Sequence, residues 1–144
     1  MRRIAGVGVV LLFAVLGLPS VASGQQNGSE RVKSRLEQSH ATPLDPVSRI
    51  PFTLSEEDFE GGRAVVVTIR IRNVLGQLIA SPAALDHPDG EVPVENLEYA
   101  TPGLKEAVWN GLDRTGHRVT SGMYLLEMVV NGERAPPLRI VVAN

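Results

Sequence analysis

The chain has no cysteine. That excludes disulfide staples, thiolate metal sites, cysteine nucleophiles and a lipid-modified N-terminal cysteine. Aromatic residues are scarce, with one Trp, two Tyr and three Phe among 144 residues, so each is a valuable core anchor. No P-loop, dinucleotide fingerprint, nucleophile elbow or zinc-protease motif occurs, which argues against an enzyme and leaves no cofactor or metal to expect. Basic residues are also few. Fourteen Lys and Arg face sixteen Asp and Glu, and removing Arg2 and Arg3 with the N-terminal segment leaves 12 against 16. A mildly acidic chain lacks the basic patch by which nucleic-acid binders are recognised, so no nucleic-acid partner is expected.

What is present begins with export. Met1-Arg2-Arg3 precedes an apolar run over residues 4–18, then Pro19 and a group of small residues around Ala22 and Ser23. A charged start, a greasy core and a small-residue cut site make residues 1–23 a signal peptide. The run carries three glycines and is shorter than the ~20 apolar residues of a membrane span. After cleavage no span should remain, and the protein should be periplasmic, outer-surface or extracellular. Residues 24–46 are polar and read as a flexible leader, where Val32 and Leu36 allow at most a turn or two of helix. Asn27-Gly28-Ser29 also matches a glycosylation sequon.

Residues 47–144 read as one all-β domain. Ile50, Phe52 and Leu54 alternate with smaller or polar residues, and residues 64–72 alternate more clearly, with Val65, Val67, Ile69 and Ile71 on one face. Period-two patterning with β-branched residues predicts strands with one face in a core. Further strands are expected at 77–80, at 104–109, at 123–130 and at 138–142, with a brief edge strand around Val92. Gly76 and the Asn131-Gly132 pair mark turns. About seven short strands in a hundred residues, without a convincing helix, predict an antiparallel immunoglobulin or fibronectin type III-like β-sandwich.

Residues 109–128, WNGLDRTGHRVTSGMYLLEM, resemble a segment of the immunoglobulin-like domain of flagellar hook-capping proteins. The same motif recurs in C-terminal sorting domains of type IX secretion cargo. IPFTLS and VTIRIRNVLGQLIA fit the upstream part of that family, so the resemblance covers about residues 45–142. It implies an immunoglobulin-like fold, and either a protein-binding role or recognition by a secretion machine. Asn110 stands where Asp is usual, and the 81–103 connection is longer than the family's.

Within the motif, Trp109 and Tyr124 are expected to anchor the core. Asp113 should tie a turn by accepting backbone N–H bonds, with Gly111, Gly116 and Gly122 serving positive φ or close backbone approach. His40, His87 and His117 stand apart and read as solvated. The candidate functional surface lies elsewhere. If successive strands carry the chain end to end, the first, third and fifth connections share one pole. That pole would gather Glu56, Glu57, Asp58, Glu60, Asp86, Asp89, Glu91, Glu95 and Glu98, able to attract a basic partner or a divalent cation. The expected function is an exported, non-enzymatic module acting through protein–protein contacts, with a sorting domain as the alternative.

Overall fold

A computed structural model describes residues 33–37 and 48–143. The expected signal peptide and most of the expected leader lie outside the described residues. Among the described residues ten strands follow in order: β1 (Arg35–Leu36), β2 (Ser48–Leu54), β3 (Val65–Asn73), β4 (Leu78–Ala80), β5 (Ala83–Ala84), β6 (Leu97–Tyr99), β7 (Gly103–Trp109), β8 (Gly122–Val130), β9 (Glu133–Arg134) and β10 (Leu138–Val142). A 3-10 turn, Glu56–Phe59, lies between β2 and β3. All pairings between these strands are antiparallel.

They form two sheets. One runs β1-β2-β7-β5; the other runs β10-β8-β3-β4, with β6 also on β3 and β9 also on β8. The alternation seen in the sequence decides which side chains meet between them. Ile50, Phe52 and Leu54 of β2 face Val65, Val67, Ile69 and Ile71 of β3 and Leu126 and Met128 of β8 in one buried cluster. Each fully buried aliphatic or Phe side chain contributes about 1.5–3 kcal/mol by leaving water. This is the all-β sandwich that the periodicity predicts.

Turn chemistry sets several of the joins. Asn131 and Gly132 have φ of 50° and 83°, the paired positive values of a type I′ hairpin, and they join β8 to β9 with Val130 opposite Glu133. At 73–77 the Asn73 carboxamide oxygen accepts from the N–H of Leu75 and of Gln77. The β9–β10 edge is one strand broken at Pro136-Pro137, since Arg134 lies opposite Val129 while Leu138 lies opposite Leu126. That slip of one residue is a bulge, and proline suits it because no ladder N–H is required there.

Two expectations need correction. Residues 33–37 are not loose leader. β1 adds to the edge of β2, with Leu36 opposite Phe52, and only 8% of Leu36 is exposed. Ser34 donates its hydroxyl to Asp58 and accepts the N–H of Ser55. A short strand forms here instead of a helical turn because β2 offers partners that no local pattern reveals. Around Val92, only Pro93 makes a bridge, to Ala83, and no strand forms.

The third connection also departs from end-to-end traffic. After β4 the chain crosses to the other sheet, where β5 pairs with β7. It returns so that Val94 accepts the Ile69 N–H and β6 pairs with β3. Ala84, Val94, Leu97 and Tyr99 are buried along the way. The segment is a side wall of the sandwich, held by its own apolar residues.

Candidate functional site

Five of the nine carboxylates, Asp86, Asp89, Glu91, Glu95 and Glu98, lie on the side-wall path and four on the β2–β3 connection. Glu57 and Asp58 share a small pocket with Glu133 and Arg134, and Asn131 donates its carboxamide N–H to the Asp58 carbonyl. The first and fifth connections therefore meet, with Glu56 and Glu60 exposed on the same turn. Asp86 and Glu98 instead line a groove of about 610 Å³ beside Lys105 and Glu106 of β7, with Asp89 near His87. Glu91 and Glu95 line a third hollow, about 700 Å³, together with Trp109, Asn110, Asp113 and Arg114. Six of the nine acids thus line three hollows, and Glu98, opposite Val66, lies beside the strand start whose Val66 N–H bonds to the Asn131 carboxamide oxygen. Among the described residues no group of three or more His, Asp or Glu is placed to hold a metal ion.

The 109–128 motif is built as its residues imply. Trp109 is buried and donates its indole N–H to the Leu112 carbonyl at 2.9 Å. Its ring meets Tyr124 edge-on, centroids 5.7 Å apart, and the Tyr124 hydroxyl donates to the Thr120 carbonyl at 2.7 Å. Asp113 Oδ1 accepts three bonds: from Thr115 N–H at 2.9 Å, from the Thr115 hydroxyl at 2.6 Å and from His117 N–H at 3.0 Å. The Thr115 hydroxyl and then the His117 N–H hold the Asp113 carboxyl below its usual range. Gly116 sits at φ 85° and returns its N–H to the Asp113 carbonyl, a conformation that costs an ordinary residue about 1–2 kcal/mol. Gly111 is also at positive φ, and Gly122 opens β8.

His87 and His117 are less isolated than their sequence neighbours imply, and His40 lies outside the described residues. His117 Nδ1 lies 2.7 Å from the Thr115 hydroxyl, which makes it part of the Asp113 turn. The His87 side chain is only 4% exposed, against the expectation of a solvated ring. Asp89 N–H donates to its Nδ1 at 3.1 Å, so Nε2–H is left to donate to the Glu98 carbonyl at 2.8 Å. The imidazole packs edge-on to Tyr99 at 5.0 Å, and Tyr99 meets Phe52 in the same way at 5.7 Å. These imidazoles and Asp113 are committed to structural bonds.

What the sequence reading missed is the outer face of the β10-β8-β3-β4 sheet. Val141 is opposite Met123 and Arg139 is opposite Leu125. Val141 is 63% exposed and Met123 45%, with half-buried Leu125 beside them. The signal was available: Met123, Leu125 and Val129 lie between the core residues of β8, so three of the four outward residues are apolar and only Glu127 is charged.

No family model and no curated protein matches the chain. Among solved structures, the chain is similar to dimeric latent PorU from Porphyromonas gingivalis, with a TM-score of 0.51 and 18% identity. The match covers 76% of this chain and 9% of that one. A second match is to Pseudomonas fluorescens alkylpurine DNA glycosylase AlkC bound to DNA containing an abasic site analog. It has a TM-score of 0.45 and 17% identity over 78% of this chain and 31% of that one, too low a score to establish a shared fold. The class of molecule defined so far is a β-sandwich domain, similar in fold to a small part of a much larger protein. Among the described residues no helix is long and apolar enough to cross a membrane.

Proposed function

We propose that this is an exported, non-enzymatic β-sandwich module that works through protein–protein contact. The observation that carries the reading is the Met123–Val141 pair on the outer sheet face. A solvated sheet face ordinarily alternates to polar residues, and exposed apolar clusters with polar neighbours mark contact surfaces. The tying of Asp113, Thr115, His117 and His87 into local structure supports the absence of catalysis. The test is a photo-crosslinking phenylalanine analogue in place of Met123, in the cells that make the protein. A discrete crosslinked protein, absent when the analogue replaces exposed Arg63 in the β2–β3 connection, is expected. No adduct at Met123 would refute the reading.

A sorting role is the second reading. It is supported by the resemblance of residues 109–128 to sorting domains and by the fold similarity to a small part of PorU. Placed at the C-terminus of an exported reporter, a sorting domain would carry the reporter to the cell surface and be removed there. A binding module would remain attached.

A further inference from the structure

The edge of β10 has hydrogen-bonding groups whose direction follows from bonds further along the sheet. Ala135 N–H bonds to the Met128 carbonyl, so Met128 turns its backbone polar groups toward the β9–β10 side. Asn131 N–H bonds to the Val66 carbonyl, so the alternate residues of β8 turn toward β3. Antiparallel strands alternate strictly in this respect. Leu138, Ile140 and Val142 are thus the residues of β10 bonded to β8, opposite Leu126, Tyr124 and Gly122. Arg139 and Val141 turn their N–H and C=O groups away from the sheet, and among the described residues no strand pairs with that edge.

Side chains on the same two residues add chemistry to the edge. Val141 continues the exposed apolar pair with Met123. Arg139 is exposed and makes no ion pair among the described residues, whereas Arg72, two strands away across Leu125, is held by Glu127 at 2.7 Å. Pro136-Pro137 ends the usable edge on one side, since proline has no N–H to offer. The free segment is therefore short and defined: two outward backbone pairs, an apolar side chain and an uncompensated cation.

We propose that this edge takes up an extended polypeptide segment of another protein as an added antiparallel strand. The segment carries an apolar residue opposite Val141 and a carboxylate two residues later opposite Arg139. This deepens the protein-binding reading and rests on it. Main-chain bonds to Arg139 and Val141 supply attachment, and the alternating side chains supply selectivity, as in other strand additions. The carboxylate is chosen by charge complementarity to Arg139, and a basic residue there would meet a like charge.

The probe is a capped heptapeptide alternating threonine and valine, with glutamate two positions after its central valine, and a twin with lysine at that position. Amide exchange is read on the full-length chain. The glutamate peptide is expected to slow exchange at Arg139 and Val141 by at least about tenfold when bound near saturation, with the lysine peptide binding at least about tenfold more weakly. Val141→Pro should abolish this protection, and it spares the ladder to β8 because the Val141 N–H points outward. Arg139→Glu keeps every N–H and should reverse the preference between the two peptides, which serves if the proline variant folds poorly.

Unchanged exchange at millimolar peptide overturns the proposal, as does equal binding of the two peptides. Protection that rises with protein concentration alone also overturns it, by identifying a second copy as the occupant. A crosslinked partner at Met123 without peptide binding at β10 would leave the protein-binding reading standing and remove only this edge.

Discussion

Replacing Tyr99 with Phe should make the protein more stable. Tyr99 is 6% exposed, and its hydroxyl has no hydrogen-bond partner among the described residues. A buried polar group left unpaired costs about 1–3 kcal/mol. Phe preserves the ring and with it the edge-on contacts to Phe52 and His87, so only the unpaired oxygen is lost. The expected gain is about 1 kcal/mol, at the low end because the surroundings relax once the oxygen is gone. For a domain of this size that corresponds to a rise of roughly 4–8 °C in Tm. Urea denaturation at neutral pH measures the free energy, and the slope of the transition should be unchanged.

The same residue predicts an alkaline effect. Burial pushes the Tyr99 phenol up to about 12, whereas an unfolded tyrosine titrates near ~10. A group whose folded pKa is raised stabilises the fold below its unfolded pKa and loses that contribution as pH climbs toward the folded value. Wild-type stability should therefore fall between about pH 10 and 12, by at most about 1.4 kcal/mol per pH unit from this group, and the Phe variant should lack that component. A variant less stable than wild type by about 0.5 kcal/mol or more would refute the reasoning, because it would show that the hydroxyl makes a net favourable bond.

Other substitutions test other parts of the argument. Asp113→Asn should lower stability at neutral pH and flatten the acid limb, because a lowered carboxyl pKa stabilises above its ordinary value and the contribution disappears as pH falls through the folded one. Thermal melts of both proteins from about pH 2 to 7 check the sign. Leu36→Ala should cost about 2–3 kcal/mol in denaturant unfolding, whereas a dispensable leader would show almost no change. Gly132→Ala should cost about 1–2 kcal/mol from its positive φ alone, since nothing lies within 4 Å of the added methyl; a hydrogen-exchange map should place the loosening at β8 and β9.

Where the sequence was readable, a local rule and the global fold agreed. Val65, Val67, Ile69 and Ile71 can bury one face only as a strand, and Asn131-Gly132 accepts the two positive φ values of a tight hairpin. Trp109, Asp113 and Gly116 mark a turn because a carboxylate, its backbone donors and a residue free of Cβ strain lie within a few positions. The third connection was less legible. Alternation of connections between the two ends takes it as an end loop, whereas the 81–103 segment has Ala84, Val94, Leu97 and Tyr99 buried along the flank. Their spacing follows no single period, so neither strand nor helix patterning announces them.

The amino-acid sequence alone determined that the domain is all-β, which residues alternate into its core and how its tightest turns close. These depend on interactions within a few residues, where side-chain alternation and φ preference suffice. Only the tertiary structure decided that Leu36 belongs to the core, that His87 is buried on Tyr99, and that Arg139 and Val141 stand on a free edge. Each depends on which elements the completed fold brings alongside, beyond the reach of local patterning. Pairing between distant strands carries no local signature, and which edge of a sheet remains open is a property of the completed sheet.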